Sequence, residues 1–310
     1  MKMKVVVLAG GVGGAKLADG IARILPPEDV TIIVNTGDDF EHLGLTICPD
    51  LDTVMYRLAG MANDETGWGR AGESWRTIDA VAALGGPDWF RLGDLDLATH
   101  LVRTNKLRAG ESLTAVTQHL CQKLGIQVSV LPMSDQPAPT KIQSNDTIHP
   151  FQTWFVQEKW QPPVTKVVLP EDVRATRSVI RAFETADLVL IAPSNPFVSI
   201  DPIFNVYPIA ALLEDLPQAV IAVSPIVGGQ AVKGPAAKMM QELDLPHTSR
   251  AVAEYYGERI DGFVYDVQDA GSCDDLEVET RCLDTMMVTE ADRVRLAQEV
   301  MQFAEEMLSN

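Results

Sequence analysis

Val5-Val6-Val7-Leu8-Ala9 runs directly into Gly10-Gly11-Val12-Gly13-Gly14-Ala15-Lys16, and this junction decides the fold. The five apolar residues read as a buried strand. Residues 15–25 then carry apolar side chains at helical spacing until Pro26 and Pro27 stop them, and Val30-Thr31-Ile32-Ile33-Val34 resumes as a second buried strand. Strand, helix and strand in so short a span make a right-handed βαβ unit, the opening of a doubly wound sheet. Glycines let backbone approach an anion closely, and the unpaired N–H groups at the start of the following helix favour negative charge. Lys16 adds a formal charge. The loop lacks the Gly-Lys-Ser/Thr ending of a Walker A motif, and Lys16 stands where the dinucleotide fingerprint has its third glycine. It therefore implies a phosphate without naming the nucleotide. A tight turn required only by packing accounts for the same glycines.

Outward from this unit, further strands are expected at residues 127–131, 164–169, 187–192 and 219–223, with 262–265 joining them. Residues 50–125 break the alternation, with helical patterns at 51–62, 73–84, 94–105 and 113–124 and no convincing strand. The expected fold class is α/β: a doubly wound, Rossmann-like, mostly parallel sheet, with a helical insertion (50–125) covering the ligand crevice of a single domain (1–310). Residues 290–308 read as a closing amphipathic helix. The start, Met1 to Lys4 leading into Val5, reads as a strand rather than a signal peptide, so a cytoplasmic protein is expected.

The formal charge of -18 argues against nucleic-acid and anionic-membrane partners, so local donors must hold any bound phosphate against an unfavourable field. Cys48, Cys121, Cys273 and Cys282 form no C-x-x-C pair and read as free thiols.

Four further stretches carry candidate chemistry. After the second strand comes Asn35-Thr36-Gly37-Asp38-Asp39; a nicotinamide enzyme would place an acid where Asn35 stands, which weakens a reductase reading, and the two acids also suit a turn. Asp50 and Asp52, in Cys48-Pro49-Asp50-Leu51-Asp52, bracket the first turn of a helix. Helix capping explains both, and so does holding Mg²⁺ beside a phosphate loop. On a helix, Asp96, Thr99, His100 and Arg103 share a face. Either it is a solvated ion-paired face, or Arg103 joins Arg91, Lys106 and Arg108 in clamping a diphosphate. His100 is read without a metal-type partner at helical spacing, as a hydrogen-bonding group. Finally, Pro193-Ser194-Asn195-Pro196 and Ser224-Pro225-Ile226 end two strands and should border the same crevice as the glycine loop.

In sequence order, these motifs resemble the 2-phospho-L-lactate transferase family of coenzyme F420 biosynthesis. The resemblance runs through the Gly10 to Lys16 loop, the stretch from Asn35 to Asp39, Pro49 to Tyr56, Leu92 to Arg103, Leu131-Pro132-Met133-Ser134-Asp135, His149-Pro150-Phe151-Gln152, Pro193 to Pro196 and Ser224 to Ile226. The glycine loop, with Gly67-Trp68-Gly69 downstream, is closer to the bacterial phosphoenolpyruvate transferase branch. The resemblance implies transfer of a phospholactyl or phosphoenolpyruvyl group from lactyl- or enolpyruvyl-2-diphospho-5'-guanosine. The acceptor would be the ribityl hydroxyl of 7,8-didemethyl-8-hydroxy-5-deazariboflavin, with release of GMP. It further implies Mg²⁺ as cofactor on Asp50 and Asp38, catalytic carboxylates at Asp50 and Asp52, and deazaflavin contacts at Asp52, Arg91 and His100. Donor contacts fall on Gly10, Gly11, Val12, Gly13, Gly14, Lys16, Arg103, Ser194, Asn195 and Ser224. The partners implied are small molecules, with a homodimer in keeping with the family. A related non-catalytic branch that binds nucleotide sugars carries Asp-Asp-Gly-Gly-Ser after the second strand; Asp38-Asp39-Phe40-Glu41-His42 argues against it here.

Overall fold

A computed structural model describes residues 3–215 and 217–309; Met1 and Lys2 of the expected opening segment lie outside them. Seven parallel strands form the central sheet: β1 (Val5–Ala9), β2 (Val30–Val34), β3 (Ser129–Pro132), β4 (Leu188–Ile191), β5 (Ala219–Val223), β6 (Gly262–Asp266) and β7 (Glu279–Leu283). Their order is β7-β6-β5-β4-β1-β2-β3. β1 pairs with β2 from Val5 opposite Val30 to Ala9 opposite Val34, and on its other edge with β4 from Val5 opposite Leu188. Every residue of β1 and β4 is buried. This explains their unbroken apolar runs, because a parallel strand is covered by helices on both faces. The chain winds outward to β3 and then returns to the far side of β1. The strand order therefore reverses between β1 and β4, and a ligand crevice belongs outside their carboxyl ends.

Helix α1 (Gly11–Ile24) leaves β1 and packs against α2 (Pro49–Leu58) and the C-terminal helix Glu290–Ser309. A buried Asp19–Arg293 ion pair of 2.7 Å joins α1 to that C-terminal helix. The segment read as helical holds α2, α3 (Arg76–Ala83), α4 (Asp94–Arg108) and α5 (Leu113–Lys123), and none of the named strands among the described residues falls within it. α5 packs on β3, whereas α4 packs on α5 and on a hairpin, Phe40–His42 with Leu45–Ile47. Leu43 (φ 52°) and Gly44 (φ 72°) form the hairpin's tight turn, where both central residues are left-handed.

One strand expectation needs correction. Within residues 164–169 only Lys166–Val168 is a strand, and it lies outside the main sheet, pairing antiparallel with Lys141–Ser144, whose other neighbour is Thr147–Pro150. A short apolar run does not reveal which sheet it enters. β7, by contrast, was not anticipated: it is an edge strand whose residues are only partly buried, so Glu279-Thr280-Arg281-Cys282-Leu283 lacks a core strand's apolar run.

Candidate functional site

At the switch point, the glycine loop faces the turn after β4. The Ser194 hydroxyl accepts the Gly10 N–H (3.2 Å) and donates to the Gly10 carbonyl (2.9 Å). A Cβ on Gly13 would stand 2.3 Å from the Pro193 carbonyl oxygen, and one on Gly14 2.6 Å from Ser194 Oγ. Packing alone thus requires these two glycines. Gly11 differs: it has φ of +63°, and a Cβ there would meet nothing within 4 Å. Its N–H donates to Asp50 Oδ1 at 2.7 Å, and the N-cap residue, Gly10, has no side chain to cap α1. The first-turn amides of α1 therefore open onto the crevice beside a carboxylate.

Asn35 organises the acids. Fully buried at the end of β2, its amide nitrogen donates to Asp50 Oδ2 (2.8 Å), Asp38 Oδ1 (3.2 Å) and the Val198 carbonyl (3.1 Å). Its oxygen accepts the Gly37 N–H (2.7 Å), which fixes the orientation of the amide. Gln152 reaches Asp38 Oδ2 at 3.3 Å. Burial pushes Asp50 up to about 6, against the opposing hydrogen bonds from Asn35 and Gly11. Burial, and then the neighbouring Asp50 charge, raise Asp38 well above the carboxylate range. Asp39 is raised too, chiefly by burial, although the Cys48 thiol and Arg103 oppose the shift. The Thr36 hydroxyl and Asp39 Oδ1 are buried without a hydrogen-bond partner. Adjacent carboxylates bridged by one neutral amide, with orphaned oxygens alongside, make a hard-oxygen set that fits Mg²⁺.

A second network joins α2 to α4. Arg103, 1% exposed, grips Asp52 with both terminal nitrogens: one bond measures 2.9 Å, and the other runs from Nη2 to Oδ1. Arg103 Nη1 lies 3.2 Å from His100 Nδ1, while His100 Nε2 lies 3.3 Å from Asp96 Oδ1. The same Asp96 oxygen accepts the Tyr56 hydroxyl at 2.6 Å. Burial favours the neutral form of Asp96, yet His100, Tyr56 and Arg103 hold it below the usual carboxylate range. Asp52, Asp96 and His100 each offer a ligand atom within 4.8 Å of the others and could hold a metal ion. The reading of His100 as lacking a metal-type partner is corrected here, because Asp96 lies one helical turn before it. The Arg103 guanidinium already offsets the Asp52 charge within this set.

The chain matches the family model of the 2-phospho-L-lactate transferase CofD over residues 5–308. The chain belongs to this family. It is 41% identical to the phosphoenolpyruvate transferase of Streptomyces avermitilis, covering 98% of this chain and 99% of that protein. It is also 41% identical to the 2-phospho-L-lactate transferase of Methanosarcina acetivorans, over 85% and 86% of the two chains. A crystal structure of a UPF0052 family member from Bacillus halodurans shares the fold, with a TM-score of 0.65 at 16% identity over 97% of this chain and 99% of that one.

In this member of the 2-phospho-L-lactate transferase family, Gly10, Gly11, Val12, Asp38, Asp50 and Ser194 come together at the switch point, and Asp52, His100 and Arg103 form the adjoining network. The arginine and lysine clamp does not assemble. Arg103 is turned onto Asp52, Lys106 pairs with Glu111, Arg108 donates to the Gly44 carbonyl and Arg91 pairs with Asp79 beside Trp75. The Lys16 ammonium donates to the Met287 carbonyl; burial, followed by Arg57 and Lys233, lowers its pKa. Asn195 accepts the Phe197 N–H and Ser224 the Ile226 N–H, so both side chains shape their own turns. Sequence reasoning missed Asn35 as the bridge, Asp39, Tyr56, Asp96 and Gln152 as site residues. Asp96 was legible as the i−4 neighbour of His100. The Asn35 contacts to Asp50 and Val198 join separate segments of the chain and left no local signal.

Proposed function

We propose that the chain transfers a phosphoenolpyruvyl or phospholactyl group from a guanosine diphosphate donor to the ribityl hydroxyl of a deazariboflavin, forming a coenzyme F420 precursor and GMP. One observation carries this reading: the Gly11 amide and the Asp38–Asp50 pair meet at the carboxyl ends of β1 and β2, beside the Asp52–Arg103 network. Phosphoryl-type substitution needs alignment and charge neutralisation more than a protein nucleophile. In the reaction the ribityl oxygen forms a bond to the outer phosphorus, the bond from that phosphorus to the bridging oxygen breaks, and the bridging oxygen leaves with GMP. The hydroxyl proton passes to a carboxylate.

Asp50 is better placed than Asp52 to accept the proton, since Arg103 engages both oxygens of Asp52. Asp38 and Asp50 would hold Mg²⁺, which when bound supplies charge neutralisation for the donor phosphates. The positive amino end of α1 favours the diphosphate, and Arg103 holds Asp52 in one orientation towards the acceptor. No helix among the described residues is long and apolar enough to cross a membrane. Purified protein incubated with the deazariboflavin, each guanylated donor and Mg²⁺ is expected to release GMP and yield a phosphodiester-bearing flavin. Neither product with any donor rejects the proposal.

A further inference from the structure

The segment after α2 folds back on itself as a flap. Ala62 bridges Arg70 in antiparallel fashion, the Asn63 N–H donates to the Gly69 carbonyl (3.1 Å) and the Ala71 N–H to the Met61 carbonyl (2.8 Å). The flap places Trp68 against Trp75, with ring centroids 6.5 Å apart, and places Arg70 over the Tyr56 ring at 5.6 Å. Between the flap and the start of α4 lies a pocket of about 10 Å³, lined by Trp68, Arg70, Glu73, Trp75 and Asp96 among others. That volume admits one hydroxyl-sized group.

Arg70 is poorly partnered for an arginine in a chain of charge -18. It forms no ion pair among the described residues; its Nε is buried without a partner, Nη1 is 3.4 Å from the Leu95 carbonyl and Nη2 is 3.7 Å from Met61 Sδ. Across the pocket stands Asp96, bound to Tyr56 through Oδ1. Glu73 spends both carboxylate oxygens on the Leu95 and Asp96 N–H groups at the head of α4. Two carboxylates against one guanidinium disfavour an anion, and the guanidinium disfavours a cation. A neutral hydroxyl satisfies both sides, donating to Asp96 and accepting from Arg70. The indoles offer apolar faces to the carbons that carry such hydroxyls, and Trp68, 47% exposed, continues the surface outward.

We infer that this pocket seats a secondary hydroxyl of the acceptor's polyol chain and that Arg70 binds it, so that the chain's terminal hydroxyl is delivered to the neighbouring acids. The inference rests on the transferase reading above. Its test compares two acceptors, the ribityl deazaflavin and the same ring bearing an unbranched five-carbon chain with only the terminal hydroxyl, using wild type, Arg70→Met and Arg70→Lys. Wild type is expected to prefer the ribityl compound. Arg70→Met should lower kcat/KM for it by about 10- to 100-fold, the worth of one charge-assisted hydrogen bond. The single-hydroxyl acceptor and the donor KM should change by less than about threefold, and Arg70→Lys should recover part of the loss. Should Arg70→Met fail to fold, Trp68→Ala, at an exposed position, is expected to show the same selective loss. Equal losses with both acceptors, or an effect confined to the donor KM, overturn the inference while leaving the transferase reading intact. A wild type inactive with every donor overturns both.

Discussion

Asp50 concentrates the site's electrostatics in one residue. Its folded value of about 6 lies above the ordinary 3.8, so the native state favours the protonated acid. The stabilising preference is complete below pH of about 4 and is lost as pH rises through 6, a swing of order 3 kcal/mol for a shift of this size. Asp38, raised by the same burial and by Asp50 itself, pulls in the same direction. The melting temperature in a metal chelator is therefore expected to fall between pH 4.5 and 7.5, and Mg²⁺ should raise it more at pH 7.5 than at pH 4.5. Asp50→Asn should flatten the pH dependence, reduce the metal effect and lower kcat by about 10²- to 10⁴-fold, as loss of a general base does. A Mg²⁺ response equal at both pH values would discard the assignment of Asp38 and Asp50. Arg103 fails differently when removed. Arg103→Met leaves Asp52 buried without its cation and should cost about 3–5 kcal/mol in urea unfolding, with Asp52→Asn in the same chain recovering part of it.

Among the elements, the β1–α1 turn separates the two explanations of its glycines. Gly13→Ala forces a methyl against the Pro193 carbonyl, a backbone atom unable to step aside, and is expected to destabilise the fold by several kcal/mol. Gly11→Ala meets open space and carries only the cost of a left-handed residue, about 1–3 kcal/mol. Urea titration should rank them in that order, and the reverse ranking would contradict the packing of the Pro193–Ser194 turn on α1. The flap carries a comparable distinction. Near its tip the Thr66 carbonyl accepts an exposed bond from the Lys233 ammonium (3.1 Å). Lys233→Ala should leave global stability within about 0.5 kcal/mol while speeding hydrogen exchange of the amides in residues 63–69. β1, α1 and β2 were legible in the sequence because burial on both faces writes an unbroken apolar run and a helix writes a period. α2 to α5 were legible for the second reason. β7 and the sheet membership of Lys166–Val168 were hidden, since a partly exposed edge strand has no strong pattern and pairing partners leave no local mark. The same limit explains the site: the glycine loop and the acid pair near Pro49 announced themselves, whereas the turning of Arg103 onto Asp52 depends on how α4 meets α2.

For the molecule as a whole, the net charge of -18 conflicts with an anionic donor. Within the site the conflict is sharper still, because Asp38, Asp39, Asp50, Asp52 and Asp96 gather where the phosphates are proposed to bind, and most of the basic residues expected to receive them are paired elsewhere. Attraction must come from short-range donors, namely the α1 amides and a metal ion on the acids, while the long-range field repels. The two ranges respond differently to salt. Screening over a Debye length that shrinks from about 30 Å at 0.01 M to about 10 Å at 0.1 M weakens the global repulsion but barely touches contacts made at hydrogen-bond distance. With Mg²⁺ held saturating, kcat/KM for the guanylated donor is therefore expected to rise as an inert salt is added across that interval. An enzyme that steers its donor with a basic surface would show the opposite slope. A steady fall of donor kcat/KM over the same salt range would mean that Lys16, Lys233 and Arg57, which crowd one another beside α1, dominate the field at the crevice mouth despite the acidity of the rest of the chain.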